Sequence, residues 1–482
     1  MSDQNSISTV SINDGCCSNR LPINSRRDFL TQCGLGIGGL SLGVLMAQEA
    51  GATQATQAAA SQAMSGDRFV TALSAKQPHF APKAKRVIHI MASGGPSHLD
   101  LLDHKPELKK RDGELYPKYR GVLYGSTFGF NKHGQSGNEF SEILPSIAKH
   151  ADDIAIIRSM QTDVPSHRAG MYMLTTGNGR LVRPSFGSWV TYGLGTENQN
   201  LPGFVSLGVG NDKRPIGSSF LPPVYQGTNI NLRPGKYLDN LSNPAITQRQ
   251  QRRQLDALKA LNEAYSEENP HEAELDARIQ SYEMAYQMQM SAPEAMGLEG
   301  ESKKTIESYG KTGLGQKLLV ARRLLERGVR VVQVVQGGWD HHNNLQERMT
   351  KSATEMDQAV GAFLQDLKDR GLLEDTLVLW AGEFGRTPVR QVGADGLEKG
   401  RDHNHLGYSA FMVGGGVKGG VTHGATDELG REAVENPVHV HDLHATMLHC
   451  LGFDHKRLQY RHQGREFRLT DVYGNVVKDV LA

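Results

Sequence analysis

Residues Val331-Val332-Gln333-Val334-Val335-Gln336-Gly337-Gly338-Trp339-Asp340-His341-His342 decide the fold. They belong to a short apolar run that starts at Val329, halts at paired glycines, and then delivers one acid and two imidazoles. A strand buried on both faces reads this way, because a parallel sheet covered by helices has no polar side to alternate with. The same pattern recurs outward along the chain. Arg86-Val87-Ile88-His89-Ile90-Met91 stops at Ala92-Ser93-Gly94-Gly95-Pro96, and further runs lie at Ile154–Arg158, Phe204–Leu207, Thr376–Trp380 and Ala410–Val413. Interleaved with them are apolar residues at helical spacing, Leu314/Leu318/Ala321/Leu325 and Met349/Met356/Val360/Phe363/Leu367. Strands and helices alternating at this interval predict an α/β fold with a doubly wound, mostly parallel sheet. From 244 to 295 the character changes. Leu255, Leu258, Leu261 and Tyr265, then Leu275, Ile279, Tyr282 and Tyr286, mark two charged amphipathic helices divided near Asn269-Pro270. They predict an inserted helical hairpin, either a cap over the site or a solvated surface feature.

Composition narrows the function classes. Among 482 residues, 53 Lys+Arg against 52 Asp+Glu leave a formal charge of +1, so no electrostatic surplus drives general binding to nucleic acid or anionic lipid. The 54 glycines, about 11% against a usual ~7%, follow no collagen-like period and predict many tight turns. Ser25-Arg26-Arg27-Asp28-Phe29-Leu30 sets a twin arginine before a Gly-rich apolar run, Cys33 to Ala47, and Ala50-Gly51-Ala52 offers a small-residue cleavage site. Residues 1–52 therefore read as an export signal for the twin-arginine translocation machinery, and the mature protein is expected to be periplasmic or secreted. No run reaches the ~18–20 apolar residues of a stable membrane span. Residues 53–82 read as a flexible leader, and 83–482 as the α/β domain. Cys16, Cys17 and Cys33 fall in the signal, which leaves Cys450 without a disulfide partner.

Histidine is the anomaly: 11 of the 19 lie between His341 and His462, beside carboxylates. Asp340, His341 and His342 follow one strand, and Thr376–Trp380 runs into Gly382-Glu383-Phe384-Gly385-Arg386-Thr387. Arg401-Asp402-His403-Asn404-His405 precedes another, and the first strand tip adds Ser97-His98-Leu99-Asp100, with Asp103 beyond. Open α/β sheets bind ligands at the carboxyl ends of their strands. Acid and imidazole clusters converging there are what metal-assisted hydrolysis requires. A salt-bridged loop layer without metal is the alternative. His439, His441, His444 and His449 are explained by capping and packing of one helix. Two glycine-rich stretches, at 34–39 and 414–419, match a dinucleotide fingerprint, but one lies in the signal and no helix is expected after the other.

Gly94-Gly95-Pro96-Ser97-His98-Leu99-Asp100, Ser166-His167-Arg168-Ala169-Gly170, Gly337-Gly338-Trp339-Asp340-His341-His342, Gly382-Glu383-Phe384-Gly385-Arg386-Thr387-Pro388 and Gly400-Arg401-Asp402-His403-Asn404 together carry a resemblance. From about residue 86 to Gly474 the chain resembles an exported bacterial family, domain-of-unknown-function family 1501, of the alkaline phosphatase and sulfatase superfamily. The resemblance implies a three-layer α/β/α, alkaline-phosphatase-like core, one or two divalent ions at the strand tips, and hydrolysis of a phosphate or sulfate ester through a hydroxyl-bearing nucleophile. The C/S-x-P-x-R pattern of formylglycine sulfatases is not met, since Cys450 is followed by Leu-Gly-Phe and Ser166 by His-Arg.

The expected site follows. Asp340, His342, Asp402 and His403 hold a divalent ion, zinc or manganese before calcium, since imidazole suits those metals. The ion and Arg386 neutralise the transferred anion, and either Ser166, beside His167 and Arg168, or a metal-bound water attacks; a helix N-cap is the other reading of Ser166. His98, Asp100, His341, Glu383 and His405 are further candidates. The substrate is expected to be a small-molecule or polysaccharide ester. The rival expectation is a catalytically silent metal- or polysaccharide-binding envelope protein on the same fold.

Overall fold

The computed structural model describes residues 72–119, 121–198, 200–232, 247–268, 282, 286–287, 290–393 and 396–482. The twin-arginine segment, most of the expected leader and most of the hairpin's second arm lie outside the described residues. The end of the leader lies against the domain: Lys76 N donates to Leu194 O at 2.9 Å and His79 N to Gly452 O at 2.9 Å.

All six expected strands enter one nine-stranded sheet. Its members are β1 (Arg86–Ala92), β2 (Ile154–Gln161), β3 (Phe204–Leu207), β4 (Thr228–Ile230), β5 (Val331–Gln336), β6 (Thr376–Ala381), β9 (Tyr408–Val413), β10 (Val421–His423) and β11 (Val438–His439). The order is β10-β2-β9-β6-β1-β5-β3-β4, with β11 continuing beside the end of β2. Every strand runs parallel except β9, which is antiparallel to both neighbours. The carboxyl ends of β1, β2, β3, β5 and β6 therefore open on one edge. Glu383 and Asp340 follow strands that are not adjacent, since β1 lies between β5 and β6.

Strand alternation makes the layers. Ile88, Ile90 and Ala92 of β1 face a core built with α4 (Gly313–Glu326) and α5 (Leu345–Asp369), including Leu318, Leu325, Met356 and Phe363. Val87 and Met91 face the opposite core, with α1 (His167–Thr176), α2 (Phe186–Leu194) and α6 (Val440–Cys450). Two apolar cores on opposite faces of one sheet make a three-layer α/β/α fold. Each fully buried Leu, Ile or Phe contributes about 1.5–3 kcal/mol. Helix starts are set locally: the Thr312 hydroxyl accepts from Gly315 N at 3.1 Å, and His439 with Asp442 closes a capping box on α6.

Two features depart from the repeating pattern. Between β6 and β9 stands an antiparallel hairpin, β7 (Gly385–Gly393) and β8 (Gly396–Asn404), with Arg386 opposite His403. Because β9 returns antiparallel, the hairpin rises from the edge where the strand tips collect. The other is α3 (Gln248–Glu268), the described arm of the expected insertion. Its Leu261 is 61% exposed, and Arg252 lies over the Tyr286 ring at 5.0 Å. Residues 290–296 are helical, and Ala292, Ala295 and Met296 join the first core. Among the described residues no helix is long and apolar enough to cross a membrane.

Candidate metal centre

Gly94, just past β1, organises the edge. A Cβ there would lie 2.5 Å from Asp340 N, and its φ of +119° disfavours any side chain. Only glycine lets the β1 tip pass beneath the β5 tip. Its N–H donates to both oxygens of the fully buried Glu383, at 2.9 and 3.2 Å, and its carbonyl accepts from Arg386. Glycine at 400 serves similarly, since a Cβ would collide with the His342 carbonyl as the hairpin crosses the β5 loop.

His167, Asp340, His342 and His403 bring one ligand atom each to within 4.8 Å of one another, and all four are partly exposed. They arrive from the first turn of α1, the β5 tip and strand β8. His342 Nε2 stands 2.9 Å, His167 Nε2 3.2 Å and His403 Nε2 3.6 Å from Asp340 Oδ1. His342 Nε2 and His403 Nε2 are 3.1 Å apart.

Partners on the far side of each ring assign the tautomers. His167 Nδ1 faces Glu383 Oε1 at 2.6 Å, His403 Nδ1 faces Pro165 O at 2.8 Å, and His342 Nδ1 faces Gln391 Oε1 at 3.3 Å. A carboxylate and a carbonyl only accept, so those Nδ1 atoms carry hydrogen. The Nε2 lone pairs of His167 and His403 then point, beside His342 Nε2, at a carboxylate oxygen, an arrangement that repels itself unless a cation or extra protons sit among them. The residues therefore fit a divalent ion: three imidazoles and one carboxylate, each ring held from behind by an acceptor.

The electrostatics differ from one ligand to the next. The hydrogen bond to Glu383, with Glu383 and Asp340 charges adding to it, raises His167 above its ordinary value against burial. Burial pushes Asp340 up, but Arg386 and the histidines outweigh it and bring the carboxyl down to about 2. Burial lowers His403.

Arg386 is fully buried. Its Nε donates to Gly95 O at 2.8 Å, Nη1 to Arg401 O at 3.0 Å, and Nη2 to Gly94 O and to Asp340 Oδ1, the latter at 2.6 Å. A guanidinium expected to meet the substrate anion thus joins three chain segments and holds Asp340 in place. Asp402 is exposed, and its Oδ1 accepts from His403 N at 2.7 Å, outside the cluster. The reason is strand geometry: neighbours on β8 point to opposite faces, so Asp402 and His403 cannot both turn inward. His341 parts from Asp340 and His342 for another reason: past the end of β5 the chain turns, with His341 N donating to Trp339 O at 3.0 Å. It is buried against Trp339, with Nε2 3.4 Å from Ser352 Oγ, and burial brings it down to about 4.

Ser166 is exposed at the N-cap of α1 and makes no side-chain cap hydrogen bond. His98 and Asp100 lie beneath the edge. His98 Nε2 bonds Gly430 O at 2.9 Å, and Asp100 pairs with the fully buried Arg401 at 2.9 Å. His405 is half-buried, and burial lowers it. Gln391 and the Pro165 carbonyl were not among the candidates. Neither residue type announces a role in a sequence, and only the folded hairpin and the loop before α1 bring them behind the rings.

No curated protein matches the chain. Among solved structures it is similar to a sulfatase from Pseudoalteromonas sp., at 12% identity and TM-score 0.36, covering 78% of this chain and 68% of that one. It is also similar to a protein in the alkaline phosphatase superfamily from Vibrio parahaemolyticus, at 10% identity and TM-score 0.32, covering 81% and 72%. A phosphonate monoester hydrolase from Silicibacter pomeroyi gives 9% identity and TM-score 0.31, covering 76% and 73%. At this level of similarity none of their activities passes to this chain. The sequence profile described as protein of unknown function (DUF1501) matches residues 84–481, and the chain belongs to that family.

Proposed function

We propose that the chain is an exported, metal-dependent hydrolase of phosphate or sulfate esters. The observation that carries this reading is the convergence of three Nε2 atoms on Asp340 Oδ1, each ring backed by an acceptor, at a partly exposed cluster. Three imidazoles with one carboxylate favour zinc over manganese and calcium. A divalent ion held there would supply charge neutralisation for the oxygens of an anionic ester.

The chain's own residues supply the rest. Ser166 presents a free hydroxyl one residue ahead of His167, at the N-terminus of a ten-residue helix whose dipole favours negative charge. Arg386 fixes Asp340, and Glu383 fixes the His167 ring. The second reading, metal binding without turnover, is favoured by one observation: Arg386, the cation best placed to meet a transferred anion, has its donors on backbone carbonyls, Asp340 and the His342 ring.

Elemental analysis of purified wild type and Asp340→Ala, joined to a screen of phosphate monoesters, phosphate diesters and sulfate esters, tests the proposal. Near-stoichiometric metal in wild type, its loss in the variant, and turnover of one ester class are expected. Equal metal in both proteins, or none in either, rejects the metal centre; metal without turnover selects the second reading. Export is tested by Arg26→Lys with Arg27→Lys, which should hold full-length protein in the cytoplasm. Undiminished export of that variant rejects the signal.

A further inference from the structure

The rim of the metal centre is electrically lopsided. On one side stand exposed carboxylates: Asp402 on the hairpin, and Asp163, 71% exposed, in the loop before α1, its Oδ2 3.3 Å from His439 Nε2. On the other side is the loop that follows β3. Leu207 is level with Val334 in the sheet, so that loop emerges beside the β5 tip that carries Asp340 and His342. Its 3-10 turn, Arg214–Ile216, packs against α1, the helix that begins at His167.

Four cations collect there, and one of them, Lys317, is turned to the backbone of the β5 tip, its Nζ donating to Val335 O at 2.7 Å. Arg168, immediately after His167, is exposed, as is Lys213, whose Nζ donates to Gly210 O at 3.0 Å. Among the described residues neither has a carboxylate partner. Arg214 is different, because its guanidinium lies 3.9 Å from the Tyr172 ring centroid and its Nε 3.5 Å from Asp212 Oδ1. Asp212 also accepts from the Tyr172 hydroxyl, and Tyr172 is one helical turn beyond Arg168. Arg214, Tyr172 and Asp212 therefore fasten the loop to α1 and neutralise one another. Arg168 and Lys213 are left over, two positive charges without a carboxylate partner among the described residues, on the side where the β3 loop meets α1. A metal centre needs no further cations to hold one anionic group, and exposed charges on its flank attract an opposite charge.

We propose that the natural ester carries a second anionic group, and that Arg168 and Lys213 receive it while the Asp402 and Asp163 side of the rim repels it. The proposal rests on the reading of the cluster as a metal centre that binds an ester anion. The second anion belongs to the part of the ester that projects toward the β3 loop. The substrate class is then a bis-anionic ester, such as a sugar bearing two phosphate or sulfate groups.

Calorimetric titration of zinc-loaded protein with glucose 6-phosphate and glucose 1,6-bisphosphate tests this. Wild type should bind the bisphosphate about tenfold more tightly than the monophosphate, the contribution of two exposed cations. In Arg168→Gln with Lys213→Gln the preference should vanish while monophosphate affinity stays within about twofold, and Arg168→Lys with Lys213→Arg should restore it. Equal affinities in wild type, or a preference that survives the Gln variant, overturn the second-anion site and leave the metal centre standing. Protein that retains no zinc overturns the metal centre, and the proposal falls with it.

Discussion

Replacing Arg386 by lysine removes a planar fork from the point where three chain segments meet. The guanidinium donates to Gly95 O, Gly94 O, Arg401 O and Asp340 Oδ1, and it is fully buried. A lysine ammonium is a single point with no fork, so it cannot reach acceptors that lie on either side of the group it replaces. If it keeps Asp340 and Gly94 O, then Gly95 O and Arg401 O lose their donor. At about 1–3 kcal/mol for each buried group left unsatisfied, the cost is about 2–6 kcal/mol. A domain of about 400 residues unfolds with an entropy near 0.8 kcal/mol/K, so Tm should fall by about 2–7 °C. Calorimetry on chelator-treated wild type and Arg386→Lys measures this without a contribution from bound metal. Metal affinity should fall too, by about 10–100-fold, because Asp340 loses the group that orients it. A Tm within about 1 °C of wild type, together with lost turnover, would refute the structural assignment and return the fork to the substrate.

Three further outcomes are expected. Glu383→Gln, which removes the charge behind His167, should weaken metal binding by at least about tenfold in competition with a chelator, and unchanged affinity would show that His167 needs no such support. Ser166→Ala should change stability by less than about 0.5 kcal/mol, since the hydroxyl makes no cap bond, and should retain its metal. Its turnover on any responsive ester should drop by at least ~10³-fold, and retained turnover would exclude Ser166 as the attacking group. Asp100→Asn strands the buried Arg401 and should cost about 3–5 kcal/mol. Burial pushes Asp100 up, yet Arg401 and Ser97 pull it further down, so its folded pKa lies below the unfolded value of ~3.9. The stability it contributes is therefore present above about pH 4 and lost as pH falls through the folded pKa. Urea titrations across that window should show a steeper acid loss in wild type than in the variant, and equal slopes would remove Asp100 from the account.

The sheet was legible because buried parallel strands leave uninterrupted apolar runs, and Val331–Gln336 or Thr376–Ala381 can be read as little else. Strand tips were legible for the same reason, which is how Asp340 and Glu383 came into view. The hairpin was not. Gly385 to Asn404 is polar, contains Pro388 and lacks an apolar alternation, so nothing local pairs Arg386 with His403. Missing that strand hid two things: that Asp402 and His403 face opposite ways, and that Gln391 backs a histidine. Arg386 misled because an arginine between glycines at a strand tip looks free, and only tertiary packing reveals that its neighbours are carbonyls. His167 was read as an aid to Ser166 because its ring partners lie more than 150 residues away along the chain.

The position of β1 has a consequence for the chain as it is made. The earliest strand of the sheet lies at its centre, with Val87 paired to Val331 on one side and Arg86 to Thr376 on the other. Its second partner is synthesised about 290 residues later, which at ~5–20 residues per second is about 15–60 s of translation. For about the first 245 residues of that interval an apolar strand waits with both hydrogen-bonding edges open, and one edge stays open for the rest, so the sheet cannot close cotranslationally from its N-terminal end. Folding of this domain is held back until the last quarter of the chain has left the ribosome, so the nascent protein depends on whatever shields β1 in the meantime.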